Sequence, residues 1–254
     1  MENRQTINFL GIPVDVLDTR ALCGQITSLA LKGRKQKVMY VNTDCMLLSF
    51  KDNSYRQILK KADLVYADGV GVVWGARLWG HHLPGRSTGA DFFPVFCSEF
   101  AKHGLRIFLL GGREGTAEEA AVNLIKKNPG LQIVGTHHGF FKIEETQKII
   151  DAVNAANPHI LVVGFGAPLQ EKWIDNNASR LNANVLWGVG GLFDFISGRM
   201  WRGPQWLLDN GFEWLCRLIA EPQRLWRRYL VGNSKFILYL LWYRFIAKGH
   251  YECT

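Results

Sequence analysis

The chain has 254 residues, of which 48% are hydrophobic and 20% charged, and its formal net charge is +8. This length can bury a sizeable core, and the composition excludes a disordered or low-complexity chain. No window reaches the roughly 18 apolar residues of a membrane-spanning helix, and the start is not of the signal-peptide type. The five cysteines are scattered and form no Cys-x-x-Cys pair. This pattern indicates a reducing cytoplasm and argues against a zinc or disulfide framework.

Apolar runs that alternate with helical patterns predict a series of β–α units. Strands are predicted at 6–10, 12–16, 38–41, 64–66, 107–110, 132–135, 160–163 and 185–187. Helices are predicted at 20–31, 45–61, 70–78, 90–103, 116–127, 144–156 and 169–180. This alternation predicts an α/β fold with a doubly wound, mainly parallel, Rossmann-like sheet. After residue 200 no strand is predicted, and helices broken at Gly203-Pro204, Pro222 and Gly232 follow.

The helical end of the chain has its own composition. Residues 199–254 carry nine Lys and Arg against four acids, which is +5 of the net +8, and five of the nine tryptophans. We therefore divide the chain into an α/β domain, 1–198, and a basic, Trp-rich helical appendage, 199–254. Such a composition suits an anionic surface or ligand. The apolar run 236–243 is too short to span a bilayer. It can dip into the headgroup region, or it can pack on the core or on a second subunit.

The most specific string is Gly-Phe-Gly-Ala-Pro-Leu-Gln-Glu-Lys-Trp at 164–173, directly after the predicted strand 160–163. Its glycines predict a turn that a ligand can approach closely, and Pro168 suits the first turn of a helix. The N-terminus of that helix offers free N–H groups to an anion. For the Gly-Phe-Gly part alone, an ordinary strand-to-helix connection is the better interpretation.

This string resembles a hallmark of the bacterial WecG/TagA/CpsF glycosyltransferases (glycosyltransferase family 26). Matching strings also occur, in the same order, at 41–44, 67–71, 188–195 and 213–224, so the resemblance covers roughly residues 7 to 233. It implies an inverting transfer of N-acetylmannosamine, its uronic acid or glucose. The donor would be a UDP-sugar, and the acceptor a sugar linked to undecaprenyl diphosphate. The implied location is the cytoplasmic face of the bacterial inner membrane, in cell-surface polysaccharide synthesis. The string at 201–204, Trp-Arg-Gly-Pro, departs from the family's more usual Arg-Ala-Pro.

Asp68 is the candidate general base. Glycosyl transfer needs a carboxylate that takes the proton of the acceptor hydroxyl, and the glycines at 69 and 71 leave room for two sugars. From local sequence alone, a cap for the helix 70–78 is the better interpretation of Asp68. The resemblance favours the base, because the matching aspartate has that proposed role. Asp44, which can cap the helix 45–61, and Asp194, which suits either a ribose diol or a cap, are the competing carboxylates.

The other candidate substrate-binding residues mostly follow predicted strands, where a doubly wound sheet binds its ligands. Asn42 and Thr43 line the donor or acceptor site by resemblance and are otherwise turn residues. The glycines at 111–112 are suited to a diphosphate. By resemblance Phe140 stacks the uracil, whereas Phe141 is better interpreted as core. The full set is Asn42, Thr43, Arg86, Gly111, Gly112, Gly139, Phe140, Gly164, Gln170 and Asp194.

Stabilisation of the leaving group is expected to need no metal and no other cofactor. No two aspartates have the Asp-x-Asp spacing by which many sugar-nucleotide transferases hold a metal, and the histidine pairs 81–82 and 137–138 lack a third ligand. Cationic side chains or helix N-termini must then stabilise the charge. Of the cations at 217, 224, 227 and 228, we assign Arg217, Arg224 and Arg227 to the lipid diphosphate. A solvated charged face is the ordinary interpretation, but the interleaved aromatic residues suit a helix at a membrane interface.

Two other classes of protein compete with this prediction. An NAD-dependent oxidoreductase would use Gly69-Val70-Gly71, but Trp74 stands where the fingerprint needs its third glycine. A non-enzymatic basic protein that binds membrane or nucleic acid leaves the polar strand ends unexplained. The favoured prediction is a peripheral membrane glycosyltransferase. Its partners are a UDP-sugar, a polyprenyl-diphosphate-sugar and an anionic membrane surface, with no nucleic acid, and a homo-oligomer is compatible with it.

Overall fold

The computed structural model describes residues 4–85 and 89–245. Its strands are β1 Thr6–Phe9, β2 Ile12–Asp15, β3 Gln36–Val41, β4 Leu64–Ala67, β5 Arg106–Gly111, β6 Gln132–His137, β7 Ile160–Gly164 and β8 Val185–Gly188. Its α-helices are α1 Thr19–Leu31, α2 Thr43–Lys51, α3 Asn53–Lys60, α4 Val70–Leu78, α5 Gly89–Lys102, α6 Thr116–Lys127, α7 Thr146–Ala156, α8 Leu169–Asn177, α9 Leu192–Ile196, α10 Gln205–Asp209, α11 Glu213–Ala220, α12 Pro222–Trp226 and α13 Asn233–Phe245. A π-helical segment, Arg227–Gly232, joins α12 to α13.

Six strands form one parallel sheet in the order β4-β3-β8-β7-β5-β6, and β1 pairs with β2 in a separate antiparallel sheet. The inner strands β7 and β8 are buried at every residue. Helices cover both faces of such a sheet, so its strands are continuous apolar runs. Trp187 of β8 is fully buried and packs against three phenylalanine rings of α5. This architecture confirms the predicted mainly parallel, doubly wound α/β fold.

The structure differs from the prediction at three elements. The helix predicted over 45–61 is two helices, because Asp52 takes an extended conformation between α2 and α3. The Asp52 side chain caps α3 at Tyr55 and pairs at 2.5 Å with Lys172 of α8, a tertiary contact that the sequence does not reveal. Gly232 does not break the helical end, since it lies inside the π-helical segment and the helix continues into α13. The short helix α9 was not predicted.

The sheet brings the carboxyl ends of its strands to one edge. From β5 the chain continues outward to β6, whereas from β7 it continues to β8, on the other side of β7. The connections that follow β5 and β7 therefore diverge. At such a switch point a doubly wound sheet opens a crevice for a ligand.

The C-terminal helices pack onto the α/β body. Phe236 and Leu240 of α13 belong to the same buried cluster as the sheet. The Phe236 ring contacts Phe9 with its centroid 6.4 Å away, and Leu240 lies against Gly75 of α4. Within residues 4–85 and 89–245, no helix is both long and apolar enough to cross a membrane. The division near residue 198 falls between α9 and α10 and remains our interpretation.

Candidate active site

Asp68 stands at the carboxyl end of β4, beside the end of β3. Its backbone N–H donates to the carbonyl of Val41 at 2.9 Å, which fixes the turn that follows β4. The N-cap position of α4 is taken by Gly69. Asp68, one residue earlier, is therefore not the N-cap residue that local sequence favoured. It lines a cavity of about 640 Å³ between these strand ends, α4 and the C-terminal helices.

Asn42 and Thr43 line the same cavity from the end of β3. The Asn42 side chain caps α2 by accepting from the N–H groups of Asp44 and Cys45, both at 3.0 Å. The Thr43 hydroxyl donates to Asn233 of α13 at 3.1 Å. The cap belongs to Asn42, so Asp44 is not the cap of α2. Asp44 instead pairs with Arg228, whose Nε lies 3.2 Å from its Oδ2.

Arg217 of α11 is the cation that the structure fixes most firmly at the cavity wall. Its guanidinium donates twice to Glu213 Oε1, at 2.7 and 3.2 Å, and lies 4.4 Å from the centroid of the Phe195 ring. Glu213 is buried and also receives Arg202 at 3.6 Å, while Arg202 donates to Asp91 at 2.7 Å. A planar guanidinium held in this way is prepared for phosphate oxygens.

The other arginines of the C-terminal segment take different positions. Arg228, in the π-helical segment, lines the cavity. Arg227 lies over the ring of Trp226, 5.2 Å from its centroid, and is not part of the cavity wall. The side chain of Arg224 lies outside the described part of the structure. The sequence named Arg228 among the candidate cations but assigned the lipid diphosphate to Arg217, Arg224 and Arg227, so the place of Arg228 at the cavity is a finding of the structure.

A group of glycines stands where β5 and β7 end, at the switch point of the sheet, and we call this second region the glycine crevice. Gly111 has φ 152°, and a Cβ there would lie 2.5 Å from the carbonyl oxygen of Gly164. Gly112 donates to that carbonyl at 3.2 Å and accepts from Gly139 at 2.8 Å. The three loops therefore approach each other too closely for larger residues. Phe140, which follows them, leaves 74% of its side chain exposed.

Phe141 packs against the core, as the sequence predicted. Its ring contacts those of Phe165 and Trp173 edge-on, with centroids 5.6 and 6.4 Å away. Arg86, another predicted substrate-binding residue, lies outside the described residues.

Gln170 connects two loops at the edge of the sheet and is fully buried. Its Oε1 accepts from Gly190 at 2.8 Å and from Gly166 at 3.3 Å, and its Nε2 donates to Glu171 Oε1 at 2.9 Å. Burial raises the pKa of the Glu171 carboxyl to about 7. In this structure Gln170 therefore holds the loops after β7 and β8 in place, with its own side chain withdrawn from solvent.

Asp194 lies in the first turn of α9 and is half-buried. Arg199, five residues later, reaches across to α6. It pairs with Glu119 at 2.6 Å and donates to the hydroxyl of Thr116 at 2.8 Å. No local pattern singled out Arg199, because its partners Glu119 and Thr116 are 80 and 83 residues away along the chain. The contact places a cation beside the glycine turn that follows β5.

Most of the predicted residues that the structure describes gather in two groups at one edge of the sheet, and Arg227 belongs to neither. One group is the cavity at the ends of β3 and β4, and the other is the glycine crevice at the ends of β5, β6 and β7. The strand β8 lies between them and leads to Asp194. Within the described ranges, no group of three His, Cys, Asp or Glu side chains could hold a metal ion. Metal independence stays a prediction.

Comparison with known proteins identifies the family of the chain. A model of the glycosyl transferase WecG/TagA/CpsF family matches residues 7–250. An N-acetylglucosaminyldiphosphoundecaprenol N-acetyl-beta-D-mannosaminyltransferase of Bacillus subtilis is 32% identical over 190 residues, which are 75% of this chain and 73% of the relative. A protein of the same name from Bacillus spizizenii is 29% identical over 215 residues, 84% of this chain and 82% of the relative. The chain therefore belongs to the WecG/TagA/CpsF family of glycosyltransferases.

Proposed function

We propose that the protein transfers an N-acetylmannosaminyl group from a UDP-sugar to N-acetylglucosamine carried on undecaprenyl diphosphate. The observation that carries this proposal is the cavity in which Asp68 faces a space shared with Arg217 and with apolar side chains. Such a wall suits an acceptor that has a sugar, a diphosphate and a lipid. The names of the two relatives describe that acceptor and that sugar. Membership of the family decides against the oxidoreductase and the non-enzymatic alternatives.

In the proposed reaction Asp68 is the general base. The acceptor hydroxyl loses its proton to the Asp68 carboxylate while its oxygen forms a bond to the anomeric carbon of the donor. The bond between that carbon and the UDP oxygen breaks on the opposite face, and UDP leaves with the electron pair. The anomeric configuration is therefore inverted. Asp68 is suited to this role because it ends a strand beside two glycines that leave space for sugars.

The donor is proposed to bind in the glycine crevice. The diphosphate would lie against Gly111 and Gly112, the uracil against the exposed ring of Phe140, and the ribose beside Asp194. Negative charge develops on the diphosphate as UDP leaves, so nearby cations lower the barrier. Arg199 beside the crevice is a candidate for this task, while Arg217 in the cavity is assigned to the diphosphate of the lipid acceptor. We propose that the leaving group is stabilised without a metal, because the chain has no Asp-x-Asp pair to hold one.

The protein is further proposed to act as a peripheral protein at the cytoplasmic face of the membrane that holds its lipid acceptor. The basic, Trp-rich C-terminal helices support this location, since such surfaces bind anionic lipid headgroups.

A transfer assay with purified protein, a short-chain lipid-diphosphate acceptor and a set of UDP-sugars tests the function. Transfer from UDP-N-acetylmannosamine, undiminished by EDTA, is the expected result. Asp68→Asn should lower kcat by about 10²–10⁴-fold, while UDP still raises the melting temperature.

Asp44→Asn is the matched control, because Asp44 is the competing carboxylate at the neighbouring strand end and pairs with Arg228, which lines the cavity. It should lower kcat much less. Near-normal turnover of the Asp68→Asn protein would eliminate Asp68 as the base. Loss of activity in EDTA that Mg²⁺ restores would eliminate the metal-independent mechanism.

A further inference from the structure

The cavity beside Asp68 has a polar end and an apolar end. Its polar end contains Asn42, Asp68 and Arg217, at the carboxyl ends of β3 and β4 and on α11. Its apolar end lies between two helices, with Trp74 and Leu78 on α4 and Ile237 on α13. The described wall therefore changes from charged to apolar within one continuous space.

The apolar end is an open groove. Trp74, Leu78 and Ile237 are 60%, 50% and 55% exposed, although large apolar side chains usually bury more of their surface. Gly75 forms part of the same wall, and a Cβ there would lie 3.2 Å from Leu240. The two helices are thus in close contact beneath the groove, while its rim faces solvent. An exposed apolar groove of this kind marks a binding site.

We propose that this groove binds the first isoprene units of the polyprenyl chain, next to arginines that hold its diphosphate. This proposal rests on the function proposed above and names the part of the acceptor that the groove takes. In a prenyl diphosphate the change from charge to hydrocarbon occurs at one ester oxygen, which joins the diphosphate to the first carbon of the chain. The cavity wall makes the same change between Arg217 and Arg228 on one side and the α4–α13 groove on the other.

The charges at the inner end distinguish this occupant from a second copy of the chain. An apolar helix from another subunit would bring no group for the guanidinium of Arg217 beyond the Glu213 carboxylate it already has. A diphosphate carries oxygens that accept from planar guanidinium groups, and it is covalently tied to the hydrocarbon. One molecule of this chemistry fills both ends of the cavity.

Binding of farnesyl diphosphate, a soluble three-isoprene probe, tests the proposal without a membrane. Trp74 and Trp214 line the cavity, so binding can be followed by tryptophan fluorescence and checked by calorimetry. Farnesyl diphosphate should bind at least about 10-fold more tightly than inorganic diphosphate, because burying a few CH₂ groups supplies more than 1.4 kcal/mol.

Two neighbouring residues of α13 give a matched pair of variants. Ile237 lines the groove, whereas Leu238 is 65% exposed and does not. Ile237→Ser should weaken farnesyl diphosphate binding by about 10-fold, and Leu238→Ser should leave it unchanged. Leu78→Ser, on the opposite wall, should act like Ile237→Ser. Both α13 side chains are largely exposed, so melting curves of the two variants should match.

Equal weakening by Ile237→Ser and Leu238→Ser would overturn the proposal, because it would show adsorption to the apolar surface in general. Equal affinity for farnesyl diphosphate and inorganic diphosphate would also overturn it. The experiments distinguish a failure of the groove proposal from a failure of the proposed function. If the groove binds farnesyl diphosphate but no UDP-sugar supports transfer, the proposed function fails and the groove stands. If transfer occurs while Ile237→Ser leaves binding and the acceptor KM unchanged, the groove fails and the function stands.

Discussion

The α/β body and the C-terminal helices bury their apolar side chains to very different extents. In the body, residues 4–196, nine large hydrophobic side chains are exposed among the described residues, whereas the much shorter segment 201–242 exposes twelve. The helix α13 buries Phe236 and Leu240 against the body, yet its other faces present Leu238, Leu241 and Trp242. A helix that is apolar all round needs apolar surroundings on more than one side. The sheet of the body is thus well covered, while the C-terminal helices leave apolar surface that the proposed membrane association would cover.

Polar side chains near the edge of the sheet also differ between the two regions. In the body the buried Gln170 and Glu171 sit behind the edge of the sheet, where they hold loops together. In the C-terminal helices Arg217 and Arg228 face the cavity that the two regions share. The active site therefore forms at the junction, with the carboxylate from the body and the cations from the helices. Three measurements test this difference between the two regions.

The largest effect is expected from the cation that the C-terminal helices bring to the cavity. Arg217→Ala should lower kcat/KM for the lipid acceptor by about 10²–10³-fold, because it removes a guanidinium that is held by Glu213 and Phe195. UDP should still raise the melting temperature, since the donor crevice is built by the body. Steady-state kinetics with varied acceptor measures the change.

Arg227→Ala is the matched control for that experiment. Arg227 lies over Trp226 and away from the cavity wall, so its removal should lower kcat/KM less than about 10-fold. Equal losses for the two variants would mean that the C-terminal arginines act through overall charge. The distinction drawn here between cavity and surface arginines would then be wrong.

A second prediction concerns the buried carboxyl of the body. Burial raises the pKa of Glu171 from 4.5 to about 7, so the folded protein binds a proton that the unfolded chain releases. This contribution to stability is fully present below pH 4.5 and is lost as the pH rises through 7. Glu171→Gln should therefore gain about 2–3 kcal/mol over the unchanged protein between pH 5 and pH 8. Denaturant unfolding at both pH values measures it.

Glu144→Gln is the control, since Glu144 is exposed on the surface of the same body. Its stability relative to the unchanged protein should not vary between pH 5 and pH 8. A stability difference for Glu171→Gln that is equally independent of pH would show that Glu171 is ionised in the folded protein throughout.

The smallest effect is expected at the outer face of the C-terminal helices. Leu238 of α13 and Val122 of α6 are equally exposed, at 65% and 66%, but lie in different regions. Leu238→Asp should weaken binding to anionic vesicles by about 10-fold, because it removes apolar area and adds a negative charge. Val122→Asp should leave vesicle binding unchanged. Co-sedimentation at low and high salt measures both. Equal loss for the two variants would contradict a membrane face on α13.

Much of the fold followed from local patterns in the chain. The alternation of apolar runs and helical periods predicted the parallel sheet, because a strand buried on both faces must be apolar throughout. The end of β4 could be located to within a residue, so Asp68 could be named as a strand-end carboxylate. Phe141 was assigned to the core for a similar reason. Local sequence alone favoured Asp68 as a helix cap. The resemblance to known glycosyltransferases added its proposed role as the general base.

The tertiary structure decided what depends on neighbours far apart in the chain. Gln170 lies in a string that suggested ligand contact, but its side chain is buried because β8 lies beside β7 and offers the N–H of Gly190. Of the basic residues that the sequence named in this segment, Arg228 lies at the cavity and Arg227 lies over Trp226, and only the packing of the π-helical segment decides between them. The ion pair between Arg199 and Glu119 likewise joins residues that are far apart in the chain. Sequence patterns report whether a residue prefers burial and which element it favours. Strand order and helix packing decide which polar groups come into contact, and the candidate site is formed by those contacts.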